Sequence, residues 1–426
     1  VAVGLLLAIN LMNYVDRQVL AAVEVRIGDE FAQAGRPISD AKMGLLSTAF
    51  LLSYMFCSPL FGRWADRMSR WFIVAVGVGV WSLASGASGL AQTYVMLLIT
   101  RMFVGIGEAA YGPTAPTIIA DLYPVERRGS VLAWFYMAIP VGSAIGYVWG
   151  GHLADMPGWG WRWAFYLSAP PGLALAVWAL SMREPPRAGA FKAAEGGVER
   201  VSRLRDLMVL ARTPSYVFNT LGMTAMTFAL GGVAFWMPRY ISVYRGAGDL
   251  ATVNLRFGII TVVAGISATL AGGYLGDKLR SRWSGSYFLV SGIGMLIGLP
   301  LFLCFLKVDF PYAWGFVFLA EFCLFFNTGP TNTILANVTH PSIRASAFAI
   351  NILIIHALGD AISPSLIGLL NDQTKSTDLP NGDMNFSFGA TVSAAVFLSG
   401  VFWILGSKHL KRDTELAPTR MGAEGG

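Results

Sequence analysis

The sequence predicts an all-α membrane protein: twelve transmembrane helices arranged as two pseudo-symmetric six-helix bundles. Three observations predict it. First, 55% of the 426 residues are hydrophobic and only 13% are charged, about half the charged share of a soluble domain. Such a chain has too little polar surface to face water and too much apolar content for disorder. Second, apolar runs long enough to cross a hydrocarbon core recur along the whole chain. Third, two different loop sequences each appear twice, once in each half.

The predicted spans are 1–27, 41–62, 71–91, 94–121, 130–155, 163–182, 214–240, 254–277, 285–307, 311–337, 346–371 and 386–407. The first lacks a basic n-region and a small-residue cleavage site, and Asp16 and Arg17 interrupt it, so it is expected to be a retained span and not a signal peptide. Between the sixth and seventh spans, 183–212 is rich in proline, glycine and charge. Within it, 199–212 has the pattern of an amphipathic helix lying on the membrane surface, with Leu204, Leu207, Met208 and Leu210 on its apolar side. The domains read from this pattern are a first bundle at 1–182, a central loop at 183–213, a second bundle at 214–407 and a tail at 408–426. Gly-rich and Phe-rich spans suit close helix packing in lipid. Cys57, Cys304 and Cys323 all lie in apolar runs, which predicts buried thiols and not disulfides.

The repeated loops are "GRWADRMSR" (62–70) after the second span and "GGYLGDKLRSR" (272–282) after the eighth, then "YPVERRGSVLA" (123–133) after the fourth and "HPSIRASAFA" (340–349) after the tenth. Both pairs sit at nearly one offset, so the chain reads as a duplicated six-helix unit with a binding site at the interface between halves. Most of the 31 Lys and Arg residues fall on the loop face that carries these motifs. The positive-inside rule makes that face cytoplasmic, together with both chain ends, in a cell (inner) membrane. The net charge of +6 is thereby explained by a membrane and not by nucleic acid.

The motif Gly62-x-x-Ala65-Asp66-Arg67-x-x-Arg70 resembles the loop signature of the major facilitator superfamily, and Gly273-x-x-Gly276-Asp277-Lys278-x-x-x-Arg282 is its weaker second copy. Physically, the glycine lets two helices approach, and the aspartate meets the positive end of a neighbouring helix and a basic partner. A breakable cytoplasmic latch is expected from Gly62, Asp66, Arg67, Arg70, Asp277 and Lys278, with Arg128 and Arg344 from the second loop pair. Within that superfamily, "NYVDRQVLAAV" (13–23) and "RMFVGIGEAAYGPTAPTIIADLYP" (101–124) resemble the Spinster family. The likeness continues through "RRGSVLAWFYMAIPVGSAIGY" and "GWGWRWAFY" over most of the first half and is vaguer in the second. The resemblance implies the major facilitator fold and a proton-linked carrier of lysolipids (lysophospholipids or lysosphingolipids). It also implies proton coupling at the aspartate of the first motif, here Asp16.

Charges inside spans are costly, about 2.5–3.5 kcal/mol each at a helix centre, and so mark interior sites. Asp16 and Glu108 are the expected proton-coupling carboxylates, and Arg17 is expected to help set the charge state of Asp16. Arg101 and Glu108 lie seven residues apart, almost two turns, and share a helix face with room for an anionic headgroup at Arg101. Arg17, Arg101, Tyr54, Phe228 and Trp236 are the expected substrate contacts, the aromatics as walls for an acyl chain.

The glycines of "GIGEAAYGP" follow no strand, so they serve packing and not phosphate binding, and Pro113 and Pro116 are expected to bend that span. Pro140 with Gly142, Gly146 and Gly150 resembles the glycine-proline signature of superfamily antiporters. In the second half Glu321, His356 and Asp360 stand out, the last two at i, i+4, with a polar contact between helices as the simpler reading.

No HExxH or GxSxG motif is present and the four histidines are scattered, so an enzyme is not expected. No cofactor or metal is expected, the energy source being a proton gradient. The expected partners are an amphipathic lipid, protons and the bilayer, and the expected state is a monomer. The alternative function is a proton-linked carrier, such as an antiporter, of drugs or small organic anions.

Overall fold

The structure is a computed structural model that describes residues 1–32, 38–65, 67–123, 125–184, 203–340 and 343–420. Those residues contain helices and turns and no strand. The first six predicted spans are occupied by α1 (Ala2–Glu30), α2 (Asp40–Ala65), α3 (Arg70–Gly89), α4 (Tyr94–Tyr111) with α5 (Ala115–Leu122), α6 (Val125–Asp155) and α7 (Trp161–Leu180). A short α8 (Arg203–Ala211) precedes the second set. That set is α9 (Pro214–Arg239), α10 (Leu250–Arg280), α11 (Ser286–Lys307), α12 (Ala313–Phe325) with α13 (Thr328–Val338), α14 (Arg344–Ile355) with α15 (Ser363–Gln373), and α16 (Met384–Gly406). A terminal α17 covers Leu410–Leu416.

Among the described residues, nine helices are long and apolar enough to cross a membrane by length and composition. The first, fifth and tenth predicted spans are outside that set. The fourth span breaks where its prolines were expected to bend it: α4 ends at Tyr111 and α5 resumes with Pro116 in its first turn, where a missing N–H costs nothing. The eleventh is interrupted by a π turn over His356–Asp360, and another π turn, Tyr240–Tyr244, prolongs α9. Of the amphipathic segment, α8 buries Leu210 and exposes Leu207 and Met208; 199–202 and the side chain of Leu204 lie outside the described residues. Of the cysteines expected to be buried, Cys323 is, whereas Cys304 is exposed and Cys57 intermediate, because an apolar helix turned toward lipid leaves its outer face uncovered by protein.

The chain divides into two compact units. Unit one is Val1–Val198 with Ala234–Val262 and Pro364–Gly382; unit two is Glu199–Val233 with Val263–Ser363 and Asp383–Gly426. Thus the far end of α9, the start of α10 and the whole of α15 beyond its first residue pack with the first six spans. Tyr147 donates to the Ala234 carbonyl at 2.5 Å, Asn254 to the Ala22 carbonyl at 3.1 Å, and the Trp236 indole to the Pro364 carbonyl at 2.9 Å.

Close packing in unit one runs over glycines. A Cβ on Gly142, Gly146 or Gly150 would fall 2.6–2.8 Å from atoms of α1, so the glycine stripe of α6 is a seat for the first helix. A Cβ on Gly105 would lie 2.1 Å from the Phe50 carbonyl oxygen. Gly62, expected to permit a close helix approach, has nothing within 4 Å of such a Cβ; in the second copy Gly276 meets Tyr287 at 2.7 Å, while Gly273 is open. The approach in that loop is instead carried by Gly272, whose Cβ would strike the Phe326 carbonyl. Gly105→Ala is therefore expected to destabilise by about 1–3 kcal/mol through overpacking. Gly62→Ala is expected to be neutral or stabilising by up to about 1 kcal/mol, because alanine is the better helix former. Thermal unfolding of the two purified variants beside the parent checks both signs.

Candidate functional site

The intramembrane charges of the first half converge in unit one. Arg17 on α1 and Glu108 on α4 form a direct ion pair: Arg17 Nη2 lies 2.7 Å and Nε 2.8 Å from Glu108 Oε2. The neighbour of Arg17 on the helix, Asp16, turns elsewhere, as the step of about 100° per residue requires. It accepts a 3.2 Å hydrogen bond from Ser85 on α3, and Ser85 is 3.1 Å from Ser168 on α7. Asp16, Arg101 and Glu108 are each 1% exposed. Asp16 Oδ2, Glu108 Oε1, and Nε and Nη1 of Arg101 have no hydrogen-bond partner among the described residues.

Aromatic rings frame the cations. The Arg17 guanidinium lies 5.0 Å from the Tyr14 ring centroid, 5.1 Å from Phe50 and 5.5 Å from Tyr54. Phe50 also stands 5.4 Å from the Arg101 guanidinium, so one ring serves both arginines. Tyr54 itself is half-buried, with its hydroxyl against Gly112. Such placement stabilises a cation without neutralising it, leaving its hydrogen-bond donors available. Tyr14 and Phe50 were not singled out in the sequence, where aromatics in apolar runs carry no distinguishing signal. Ser85 and Ser168 were missed likewise.

The other two expected aromatic contacts, Trp236 and Phe228, have surroundings of their own. Trp236 is wholly buried, bonded to Pro364 and 5.6 Å under the Arg239 guanidinium. Phe228 is half-buried in unit two, where its backbone faces Gly359.

At the end of unit one that carries the first loop motif, Arg70 is 5% exposed and joins two carboxylates. Its Nη1 is 2.6 Å from Asp121 and its Nε 2.6 Å from Glu184. Glu184 also accepts from the Arg70 backbone N–H at 2.9 Å and the Ser69 hydroxyl at 3.0 Å, so it caps the start of α3. Asp66 lies outside the described residues, as does the side chain of Arg128. Arg67 and Arg344 are exposed. In the second copy Asp277 accepts from the Tyr287 hydroxyl at 2.7 Å and Lys278 stands 5.6 Å from the Tyr274 ring.

Burial pushes the Glu184 carboxyl up, but the hydrogen bonds from Arg70 and Ser69 and the Arg70 charge outweigh it and hold the group below the ordinary carboxylate range. A carboxylate held low stabilises the fold above its unfolded value and loses that contribution as pH falls through its folded one. Glu184→Gln is accordingly expected to lower thermal stability at neutral pH, with the gap to the parent closing in acid. A gap that stays constant into acid would show that Glu184 contributes no titrating contact.

Polar groups of unit two mostly satisfy one another. Thr220 donates to Asn351 at 2.8 Å, Asn219 to the Thr331 carbonyl at 3.0 Å, and His356 Nδ1 meets Asp360 at 2.9 Å within the π turn. Glu321 is buried on α12. No group of three or more potential metal-ligating side chains occurs among the described residues.

Comparison with known proteins places this geometry. The profile described as Major Facilitator Superfamily matches residues 6–364. The chain is 35% identical to protein spinster homolog 3 of Danio rerio, over 98% of this chain and 86% of that protein. It is 36% identical to protein spinster homolog 1 of Homo sapiens, over 88% and 73%. Its fold matches a crystal structure of a bacterial homolog of the human lysosomal transporter Spinster, inward-facing and unoccupied, with TM-score 0.79, 22% identity and coverage of 98% and 97%. A D-xylose-proton symporter matches with TM-score 0.71 and 18% identity, over 93% and 96%. The chain therefore belongs to the Spinster family of the Major Facilitator Superfamily, a multi-pass membrane protein that works as a secondary transporter and not as an enzyme.

Proposed function

We propose that this transporter carries lysolipids, lysophospholipids or lysosphingolipids, and couples their movement to protons by alternating access. In this reading the bundles are 1–182 and 214–407, the loop 183–213 and tail 408–426 are cytoplasmic, and a monomer in the cell membrane is the working unit. The observation that carries the proposal is the pairing of buried Glu108 with Arg17 beside Arg101, whose guanidinium keeps two donor nitrogens without partners among the described residues.

That arrangement suits an anionic headgroup plus a proton. Arg101 offers a planar fork to phosphate oxygens and stays charged. Glu108, once protonated, no longer holds Arg17, and the released guanidinium adds a second cation to the headgroup. Loss of the proton re-forms the pair and expels the anion. Asp16, held by hydroxyls and not by a cation, is the second group placed to exchange a proton. Tyr14, Phe50 and Tyr54 supply apolar surface next to the headgroup, and Phe228 and Trp236 are assigned to the acyl chain. The only energy source this scheme needs is the proton gradient, with no cofactor.

Purified transporter in proteoliposomes, offered a panel of lysolipids with and without a pH gradient, tests the proposal. Saturable uptake of an anionic lysolipid that rises with the gradient is expected. Uptake of small organic anions or drugs in place of every lysolipid would overturn the substrate class, and gradient-independent uptake would overturn the coupling.

A further inference from the structure

At the end of unit one opposite the loop motif, five charged side chains alternate in sign. Glu24 Oε1 lies 2.7 Å from Arg239 Nη1, and the same nitrogen lies 3.0 Å from Asp40 Oδ1. Asp40 Oδ2 is 3.0 Å from Lys375 Nζ, which is 2.6 Å from Asp372. Asp372 then accepts from the backbone N–H groups of Asp40 and Ala41 at 3.0 and 2.9 Å, capping α2. Glu24 and Asp40 come from the first half of the sequence, Arg239, Asp372 and Lys375 from the second-half segments that pack into unit one. Glu24 and Asp40 are 0% exposed.

Asp40 and Asp372 each have more than one partner, although Asp40 Oδ1, 3.0 Å from Arg239, makes no hydrogen bond among the described residues. Asp40 meets Arg239 with one oxygen and Lys375 and Asn371 with the other, the last at 2.6 Å. Asp372 has Lys375 and the start of α2, whose dipole offsets about half a charge. Glu24 ends the chain with Arg239 alone, and its Oε2 is buried without a hydrogen-bond partner among the described residues. The neighbouring groups add no cation for it. Asp29 on its own helix is another acid, the Tyr244 hydroxyl is held between Asn371 and the Asn381 carbonyl, and Arg26 turns to Asp155 at 2.6 Å. Three carboxylates against two cations leave a surplus negative charge, and it bears most on Glu24, which is fully buried with one cation, whereas Asp372 and Lys375 are partly exposed and Asp40 has two cations.

We propose that Glu24 binds a proton when this end of unit one closes and releases it when 234–262 and 364–382 leave α1 and α2, so that closure of the extracytoplasmic side takes up a proton. The inference takes alternating access and orientation from the functional proposal above and needs neither its lipid nor its central carboxylates. Its sign is fixed by the charge count: protonation cancels the surplus in the closed form, whereas the open form hydrates the carboxylate. Acid therefore favours closure.

Thr48 on α2 and Ser365 on α15 report closure, because their hydroxyl oxygens are 2.8 Å apart. The Thr48→Cys/Ser365→Cys pair, in full-length protein with Cys57, Cys304 and Cys323 changed to serine, is reconstituted in nanodiscs without lysolipid, and its accessibility to a rapid bifunctional thiol reagent is followed against pH. One proton at Glu24 contributes about a tenfold change in the closed-to-open ratio per pH unit across its titration. Glu24→Gln is expected to remove that one-proton component and to hold the pair closed at alkaline pH, and Glu24→Asp to retain it. Arg239→Ala, which leaves two buried anions facing each other, is expected to shift the ratio toward open. A parent ratio that does not vary with pH, or an undiminished slope in Glu24→Gln, overturns the proposal. Should Glu24→Gln fail to fold, the parent slope and Glu24→Asp decide: both must titrate in the same direction. Since no transport is measured, failure here is distinct from failure of the lysolipid reading, which rests on the uptake panel.

Discussion

Glu108→Gln is expected to abolish gradient-driven uptake while leaving lysolipid binding measurable. Glutamine keeps the volume of the side chain and an oxygen for Arg17, so the 2.7 Å contact survives as a neutral hydrogen bond. What disappears is the change of charge. In the parent, protonation weakens the hold on Arg17; in the variant the hold is weak and constant, and the guanidinium is permanently available to a headgroup. Binding of an anionic lysolipid should therefore persist or tighten, and its dependence on pH should flatten. Removing one member of a buried pair costs about 3–5 kcal/mol when the remaining charge is stranded; here the substituted amide and the three surrounding rings soften that loss, and folding should survive. Glu108→Asp, which retains a titrating group on a shorter stem, should recover part of the gradient response. Paired measurements of lipid binding and of uptake with and without a pH gradient separate the two effects. Full gradient-driven uptake in Glu108→Gln would remove this carboxyl from coupling and leave Asp16 to carry it.

Much of this site is legible in the sequence, for a physical reason. A charge in an apolar run is costly, so Asp16, Arg17, Arg101 and Glu108 announce themselves without any three-dimensional information. Their pairing does not. Seven residues on one helix put Arg101 and Glu108 on one face with room between them, but the spacing does not show that Glu108 takes Arg17 from 91 residues away, because helix contacts depend on rotation about each axis. Hydroxyl partners such as Ser85 and Ser168, and rings such as Tyr14 and Phe50, are ordinary inside spans and become informative when a charge is seen beside them. Span positions are legible because hydropathy is local. The break at 112–114 is announced by Pro113 and Pro116, but the interruptions at 326–327 and 356–362 are less legible, since a π turn or a broken helix keeps the same composition.

The charges at span ends are the hardest to read. Glu24 and Asp40 flank the first loop and resemble solvated termini, while Glu184 follows α7 as one charge among several. In the structure Glu24 and Asp40 have no exposed surface, and Glu184 caps α3 while pairing with Arg70. Each owes its role to a segment distant in sequence. An isolated acidic residue near a loop carries no trace of whether such a segment will cover it.

Arg101→Ala is expected to weaken anionic lysolipids by about 10- to 150-fold and neutral analogues by a few-fold at most. The figure follows from hydrogen bonds to a charged group, worth about 1.5–3 kcal/mol, with 1.4 kcal/mol for each factor of ten. Selectivity is what distinguishes a binding role from a structural one. Nε and Nη1 of Arg101 have no protein partner among the described residues, so truncation breaks no hydrogen bond at those atoms. It does remove the cation stacked 5.4 Å from Phe50 and a positive charge near Asp16 and Glu108, which act on every substrate alike. Those shared losses set the few-fold change for neutral lipids; the excess for anionic lipids belongs to the headgroup. Arg101→Lys sharpens the comparison, because lysine restores the charge without the fork. It should recover part of the affinity and not the whole, since a point charge cannot make two parallel bonds to one phosphate. Equal losses for charged and neutral lipids in Arg101→Ala would instead make Arg101 a strut between α4 and α2, and the headgroup would then have to be held by Arg17 alone.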